Sequence, residues 1–216
     1  MNAGGPRPTI AVIDYGMGNR RSVEKAVQRA GAEVLLTGDH EAIRSADGVI
    51  VPGVGAFAPA MDELRRGGFD ELIREIAAAG RPILGSCLGM QLLFERSAEN
   101  GDTPGLGLLA GEVVALDAGE LNIPHIGWND VHWRREHPLI AGLPDGAAFY
   151  HVHSYVPLPA DIDTIIGTGD YGGPFASVVG RGAVVGCQFH PEKSSTHGLA
   201  LLRNFASMCS VAGAPA

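Results

Sequence analysis

Nowhere in the 216 residues does an apolar run approach the roughly 20 residues needed to cross a bilayer. The opening stretch, MNAGGPRP, lacks a charged region followed by an apolar one, so no secretory signal is expected. Cysteine is scarce: Cys87, Cys187 and Cys209 are too few and too scattered for a disulfide framework or a zinc site. Lys and Arg form no runs and the formal net charge is −8, which argues against a nucleic-acid backbone as partner. These absences leave a soluble chain suited to a reducing, cytoplasmic setting. Its length suits one domain able to bury roughly 70% of the surface that the unfolded form exposes, without disulfides. Residues 1–8 and 211–216 read as loose tails around a domain spanning 9–210.

Glycine and proline, at 31 and 14 residues, are somewhat abundant but spread out, which indicates many tight turns between short elements. TIAVIDYG (Thr9–Gly16) reads as a strand ending in a glycine turn. Val23, Ala26, Val27 and Ala30 then recur at helical spacing. EVLLT and GVIVPG repeat the strand signal with a short polar segment between them. Helical patterns cover about residues 58–79, broken at Gly67-Gly68, and RPILGSC is the next buried strand. This alternation predicts an open α/β fold, a mostly parallel sheet with helices on both faces. In the second half GLGLLAGEVVALD, AAFYHVHSYVPL, DTIIGTGD, FASVVGRG and AVVGCQFHPE read as strands added to that sheet, and a helix over about residues 195–208 closes the chain.

The chemistry is expected at Gly85-Ser86-Cys87-Leu88-Gly89, where an apolar strand gives way to a helical pattern. In such sheets reactive groups gather at the carboxyl ends of strands, and this sequence fits a strand-to-helix nucleophile elbow. Flanking glycines are needed because a sharp turn crowds any Cβ on either side. A helix N-terminus favours thiolate over thiol, and backbone amides at the same turn can receive a developing oxyanion. Taken alone the motif also fits a buried core cysteine, the reading kept for Cys187 and Cys209.

A nucleophile needs a base and the base an orienter. GCQFHPEKSS offers both: His190 follows an apolar strand, and Glu192 stands two residues on. Were the chain to stay extended through Pro191, the two side chains would project to one side. His151 and His153 share a face of a strand, but no third ligand at matching spacing appears, so no metal is expected. DYGMGN (Asp14–Asn19) lacks the third glycine of a dinucleotide loop and reads as a tight turn.

GSCLGMQLLF followed about a hundred residues later by QFHPEKSS resembles the triad, or class I, glutamine amidotransferases. IDYGMGNRRSVEKA, IPHIGWNDV and FYHVHSY narrow the resemblance to the glutaminase subunits of imidazole glycerol phosphate synthase, over roughly Ile10 to Phe205. The resemblance implies a flavodoxin-like fold, no cofactor, and glutamine hydrolysis with Cys87 as nucleophile, His190 as general base and acid, and Glu192 as its orienter. PGVG resembles the oxyanion strand, so Gly53, Val54 and Gly55, with the Leu88 amide, would stabilise the tetrahedral intermediate. Gln91 and Glu99, expected on the helix after the cysteine, match positions that hold the amino-acid end of the substrate. His153, Ser154 and Tyr155 would line the same pocket. It further implies a (β/α)₈-barrel cyclase partner that receives the ammonia, faced by Asn19, Lys25, Trp128, Tyr150 and Lys193. Ser86, Asn122 and His151 depart from the pattern, outside the triad.

Three rivals are weighed against this. Another triad amidotransferase glutaminase would lack the PHIGWN and DYGMGN stretches. A cysteine-dependent α/β-hydrolase shares the elbow, but its acid precedes the histidine at a distance, whereas Glu192 follows it. A binding subunit without chemistry would have no need of Cys87, His190 and Glu192 together.

Overall fold

The computed structural model describes residues 7–212, with side chains to residue 210; residues 1–6 and 213–216, parts of the expected tails, lie outside the described residues. Five parallel strands form the centre: β1 (Thr9–Ile13), β2 (Glu33–Thr37), β3 (Gly48–Gly53), β4 (Ile83–Cys87) and, from the far end of the chain, β13 (Val184–Cys187). Between them run α1 (Arg20–Arg29), α2 (His40–Ser45), α3 (Phe57–Arg66) and α4 (Phe69–Ala78). After β4 come α5 (Leu88–Leu92), β5 (Phe94–Ser97), β6 (Thr103–Pro104), β7 (Leu109–Ala115), β8 (His125–Trp133), β9 (Ala147–His153), β10 (Tyr155–Pro159), β11 (Ile165–Asp170) and β12 (Pro174–Arg181). The last helix, α6 (Ser195–Ala212), runs past Met208 into the segment expected as a tail.

The main sheet has nine strands in the order β2-β1-β3-β4-β13-β12-β11-β8-β9, antiparallel from β13 outward. Strand alternation divides its core between two faces. Ala11, Ile13, Val49, Val51 and Ile83 pack under α2–α5 with Phe57, Met61, Leu64, Leu72 and Ile73. Ile10, Val12, Ile50, Leu84 and Val185 pack on the other face with Val23 and Val27 of α1 and Leu201, Leu202 and Phe205 of α6. Helices cover both faces, as the alternating pattern predicts, and both faces end in the same row of strand tips at β3, β4 and β13.

The second half differs from the expectation of strands simply added to one sheet. β10, β7, β5 and β6 form a separate four-stranded sheet. AAFYHVHSYVPL is two strands: β9 joins the main sheet and β10 the small one, with Ser154 between them accepting a hydrogen bond from the Leu116 amide at 2.9 Å. The polar segment after β2 is a short helix, capped by Asp39, which accepts from the Ala42 amide at 2.8 Å. It buries only Ile43, too little apolar spacing to be read as a helix. Among the described residues no helix is long and apolar enough to cross a membrane.

Candidate active site

Cys87 is the last residue of β4 and the cap of α5, with φ 55° and ψ −116°, a conformation that side chains rarely adopt. Such strain, of order 1–3 kcal/mol, persists only where the surroundings enforce it. Here the enforcement comes from glycine. A Cβ on Gly89 would stand 1.9 Å from the Val51 carbonyl oxygen, and one on Gly53 would stand 2.7 Å from the Gly89 nitrogen. The elbow and the end of β3 thus touch backbone to backbone, with Gly53 paired to Cys87 in the sheet register.

His190 lies just beyond β13, its amide bonded to the Tyr150 carbonyl at 2.9 Å. Its Nδ1 is 2.9 Å from Glu192 Oε1, and both side chains are almost fully buried. The expected extended run through Pro191 is not what joins them. Residues Pro191–Lys193 form a 3-10 turn, which folds Glu192 back beneath the ring. Burial opposes the charged imidazolium, but hydrogen bonds with Cys87 and Glu192, and the negative charge each can carry, outweigh it and raise His190 from 6.5 to about 9. Cys87 and His190 line the same cavity, with the Glu192 carboxylate bonded to the far side of the ring. The thiol also points at the Val152 carbonyl, 3.7 Å away.

A cavity of about 320 Å³ opens over the sulfur. Its lining includes Val54, Gly55, Leu88, Gln91, Glu99, His153, Ser154 and Tyr155, so the side chains singled out from sequence as substrate contacts meet in one place. A larger groove along Trp133–Leu143 holds no comparable nucleophile and base. Glu99 does not sit on the helix after the cysteine. That helix ends at Leu92, and the chain reverses through β5 before Glu99, whose carboxylate accepts from the Phe57 amide at the start of α3 at 2.7 Å.

Three functional neighbours were not foreseen. Gln188, fully buried, accepts from Gln91 Nε2 at 3.0 Å and places its own Nε2 3.9 Å from the Cys87 sulfur. It stands two residues before His190, and strand periodicity was the available signal. Ser194 donates to the His190 carbonyl at 2.6 Å and accepts from the Tyr150 amide at 3.0 Å, tying His190 to β9. His125, from the PHIGWN stretch, joins His151 and His153 in a buried cluster.

The cluster's protons can be assigned from its partners. His153 Nδ1 faces the Tyr155 carbonyl at 3.1 Å and must donate, so its Nε2 accepts from His125 Nδ1 at 3.0 Å. His125 Nε2 then accepts from Asn129 at 3.3 Å. His151 donates to the Phe149 carbonyl and accepts from Ser177. Every ring nitrogen is used by a neutral imidazole. Burial, with the neighbouring rings, pushes His153 down to about 3 and His151 well below the usual histidine value. Among the described residues no group of three or more His, Cys, Asp or Glu is arranged to hold a metal ion.

Of the expected partner-facing residues, Trp128 and Tyr150 are opposite one another on β8 and β9 with rings 6.2 Å apart, and Lys193 Nζ lies 5.8 Å from the Tyr150 ring centre. Trp128 and Ile126 are 56% and 59% exposed, an apolar face on an otherwise ordinary strand. Asn19 and Lys25 are exposed at the start and middle of α1. Cys187 and Cys209 are core cysteines, both fully buried.

A doubly wound sheet with a strained cysteine elbow, and a histidine and a glutamate beside it, defines a thiol enzyme of the acyl-transfer class. Comparison with known proteins narrows this. The family model of class-I glutamine amidotransferases matches residues 11–209. The chain is 51% identical over 204 residues to the imidazole glycerol phosphate synthase subunit HisH of Moorella thermoacetica, covering 94% of this chain and 97% of that one. It is 49% identical over 199 residues to the same subunit of Symbiobacterium thermophilum, covering 92% and 93%. Among solved structures, PurLQS from Thermotoga maritima superposes with a TM-score of 0.72 at 20% identity, covering 93% of this chain and 98% of that one, a likeness of fold. The chain belongs to the class-I glutamine amidotransferase family, in its branch of imidazole glycerol phosphate synthase glutaminase subunits.

Proposed function

We propose that residues 9–210 act as one amidotransferase domain, in which Cys87 attacks the side-chain amide carbon of glutamine. The carbonyl oxygen becomes an oxyanion facing the Leu88 amide and the Gly53–Gly55 segment. His190 gives its proton to the departing nitrogen, so ammonia leaves and a γ-glutamyl thioester remains. Water, deprotonated by His190, then attacks the thioester; the C–S bond breaks and glutamate is released. Glu192 holds the imidazole. Gln91, Glu99, His153, Ser154 and Tyr155 hold the amino-acid end of the substrate.

The observation that carries this reading is that Cys87 and His190 line one cavity, with the His190 ring held by Glu192 at 2.9 Å. Relatives 51% and 49% identical are each named a subunit of imidazole glycerol phosphate synthase, and free ammonia is readily lost as ammonium in water. We therefore assign it a (β/α)₈-barrel cyclase partner that takes the ammonia directly and makes imidazole glycerol phosphate in a cytoplasmic setting. Trp128, Tyr150 and Lys193, with Asn19 and Lys25, form the docking surface; an exposed aromatic patch beside the catalytic loop supports it. The test is glutamate release from glutamine by the purified chain, alone and with the cyclase and its nucleotide ligand. A large rise with the partner is expected. Equal activity with and without it would retain the glutaminase chemistry and remove the coupling.

A further inference from the structure

The turn at Asp14–Asn19 is a sequence motif that the proposed chemistry leaves unused. It does not hang free. Tyr15 within it is 4% exposed, and its hydroxyl donates a 2.6 Å hydrogen bond to the Pro52 carbonyl. Gly18 packs beside the strand end: a Cβ there would be in ordinary contact, 3.5 Å from Pro52 Cβ and 3.7 Å from the Gly53 nitrogen. The Met17 terminal methyl lies 3.3 Å from where Gly55 would carry a Cβ. The turn therefore lies along the segment assigned to the oxyanion, from Pro52 to Gly55.

The atom that Tyr15 grips matters. Pro52 has no N–H, so it gives nothing to a neighbouring strand through nitrogen. Its carbonyl and the Gly53 N–H belong to one planar trans peptide and point in opposite directions. Fixing the carbonyl fixes the amide, in the residue that pairs with Cys87 across β3 and β4. The phenol is a dependable donor, because burial and the nearby Cys87 push its ionisation upward and it keeps its proton. The peptides after Gly53 can turn about their glycines. The Pro52–Gly53 peptide cannot turn without leaving a buried carbonyl unpaired.

We infer that Tyr15 is a positioning residue for the reaction: its hydroxyl anchors the Pro52–Gly53 peptide, so that movement of the oxyanion segment is confined to the peptides beyond Gly53. This rests on Cys87 and that segment acting as assigned above. Tyr15→Phe keeps the ring and removes only the anchor.

The experiment is steady-state glutamine hydrolysis by wild type, Tyr15→Phe and Cys87→Ala, each as the full chain with the cyclase and its nucleotide ligand, well below each melting midpoint. Iodoacetamide alkylation of the cysteine is followed in parallel. Tyr15→Phe is expected to lower kcat about tenfold while KM changes less than about twofold, since a slight misplacement of a stabilising group acts on the transition state. Its Cys87 alkylation rate should match wild type. Unchanged kcat in a wild-type background that hydrolyses glutamine, or kcat and KM worsening together with a lost melting transition, overturns the anchor. Failure of the wild type to release glutamate, or Cys87→Ala matching it, instead sinks the amidotransferase reading on which the anchor depends.

Discussion

His190 and Glu192 are two residues apart in the chain and 2.9 Å apart through their side chains, because a single 3-10 turn starts between them. That turn is what brings the carboxylate back to the ring, so His190 and Glu192 are one local unit. Cys87 is supplied by a strand more than a hundred residues earlier.

Replacing Cys87 by Ala should abolish glutamate release. Synthesis by the complex from added ammonium salt should survive, because that chemistry is assigned to the proposed cyclase partner. Glutamate release retained above a few per cent would show that the elbow is not the nucleophile.

His190 is held above its ordinary value, at about 9 against 6.5. The stabilisation this provides is fully present below about 6.5 and is lost as pH rises through about 9. Imidazole NMR should show His190 titrating near the upper figure, and Glu192→Gln should lower it. The same variant is expected to reduce kcat by about a hundredfold or more, as removal of an orienting carboxylate does in related chemistry. An unmoved titration midpoint would contradict the assigned hydrogen bond.

The three-histidine cluster predicts the opposite sign at acid pH. His153 is depressed to about 3, so between roughly 6.5 and that value the unfolded chain takes up a proton that the folded chain refuses. Stability should fall as pH falls through that window, by up to about 1.4 kcal/mol per pH unit for each such histidine. His151→Phe removes one of them at similar volume and is expected to flatten the acid side of a urea-denaturation series. A steeper acid side would refute the neutral assignment.

Gly89→Ala places a Cβ 1.9 Å from the Val51 carbonyl oxygen. Neither backbone segment can retreat, because each is a sheet or elbow element packed against the other. A loss of at least about 3 kcal/mol is expected in chemical denaturation, together with loss of activity. Gly80→Ala, where nothing lies within 4 Å but φ is 70°, should cost distinctly less.

The parallel half of the fold is legible because each strand is a β-branched apolar run closed by glycine, and each longer helix buries a regular stripe. The elbow and the His-Pro-Glu segment are legible for a different reason: each alone also fits a core cysteine or a surface turn, but together they offer a nucleophile, a base and an orienter. Glu99 lines the expected cavity but lies off the expected helix, because the chain after Leu92 enters the small sheet, where Phe94 and Arg96 pair with Leu109 and Glu112. Tertiary pairing overrode local pattern there. His125 could not be joined to His151 and His153 by spacing, since antiparallel pairing of β8 with β9 brings them together across the chain. The sequence marks Tyr15 only as part of a turn, because a hydroxyl's partner on another strand leaves no local mark.

β9 is the outermost strand of the large sheet, where an exposed row of amides and carbonyls would invite a second chain to add itself. That row is taken up from within. Tyr150 gives its amide to Ser194 and its carbonyl to His190, and the Ala148 carbonyl faces His197 at 3.3 Å. The segment from His190 to His197 therefore also covers the open edge of β9. Variants that loosen that segment should be harder to keep in solution at high concentration, even where their cores are intact.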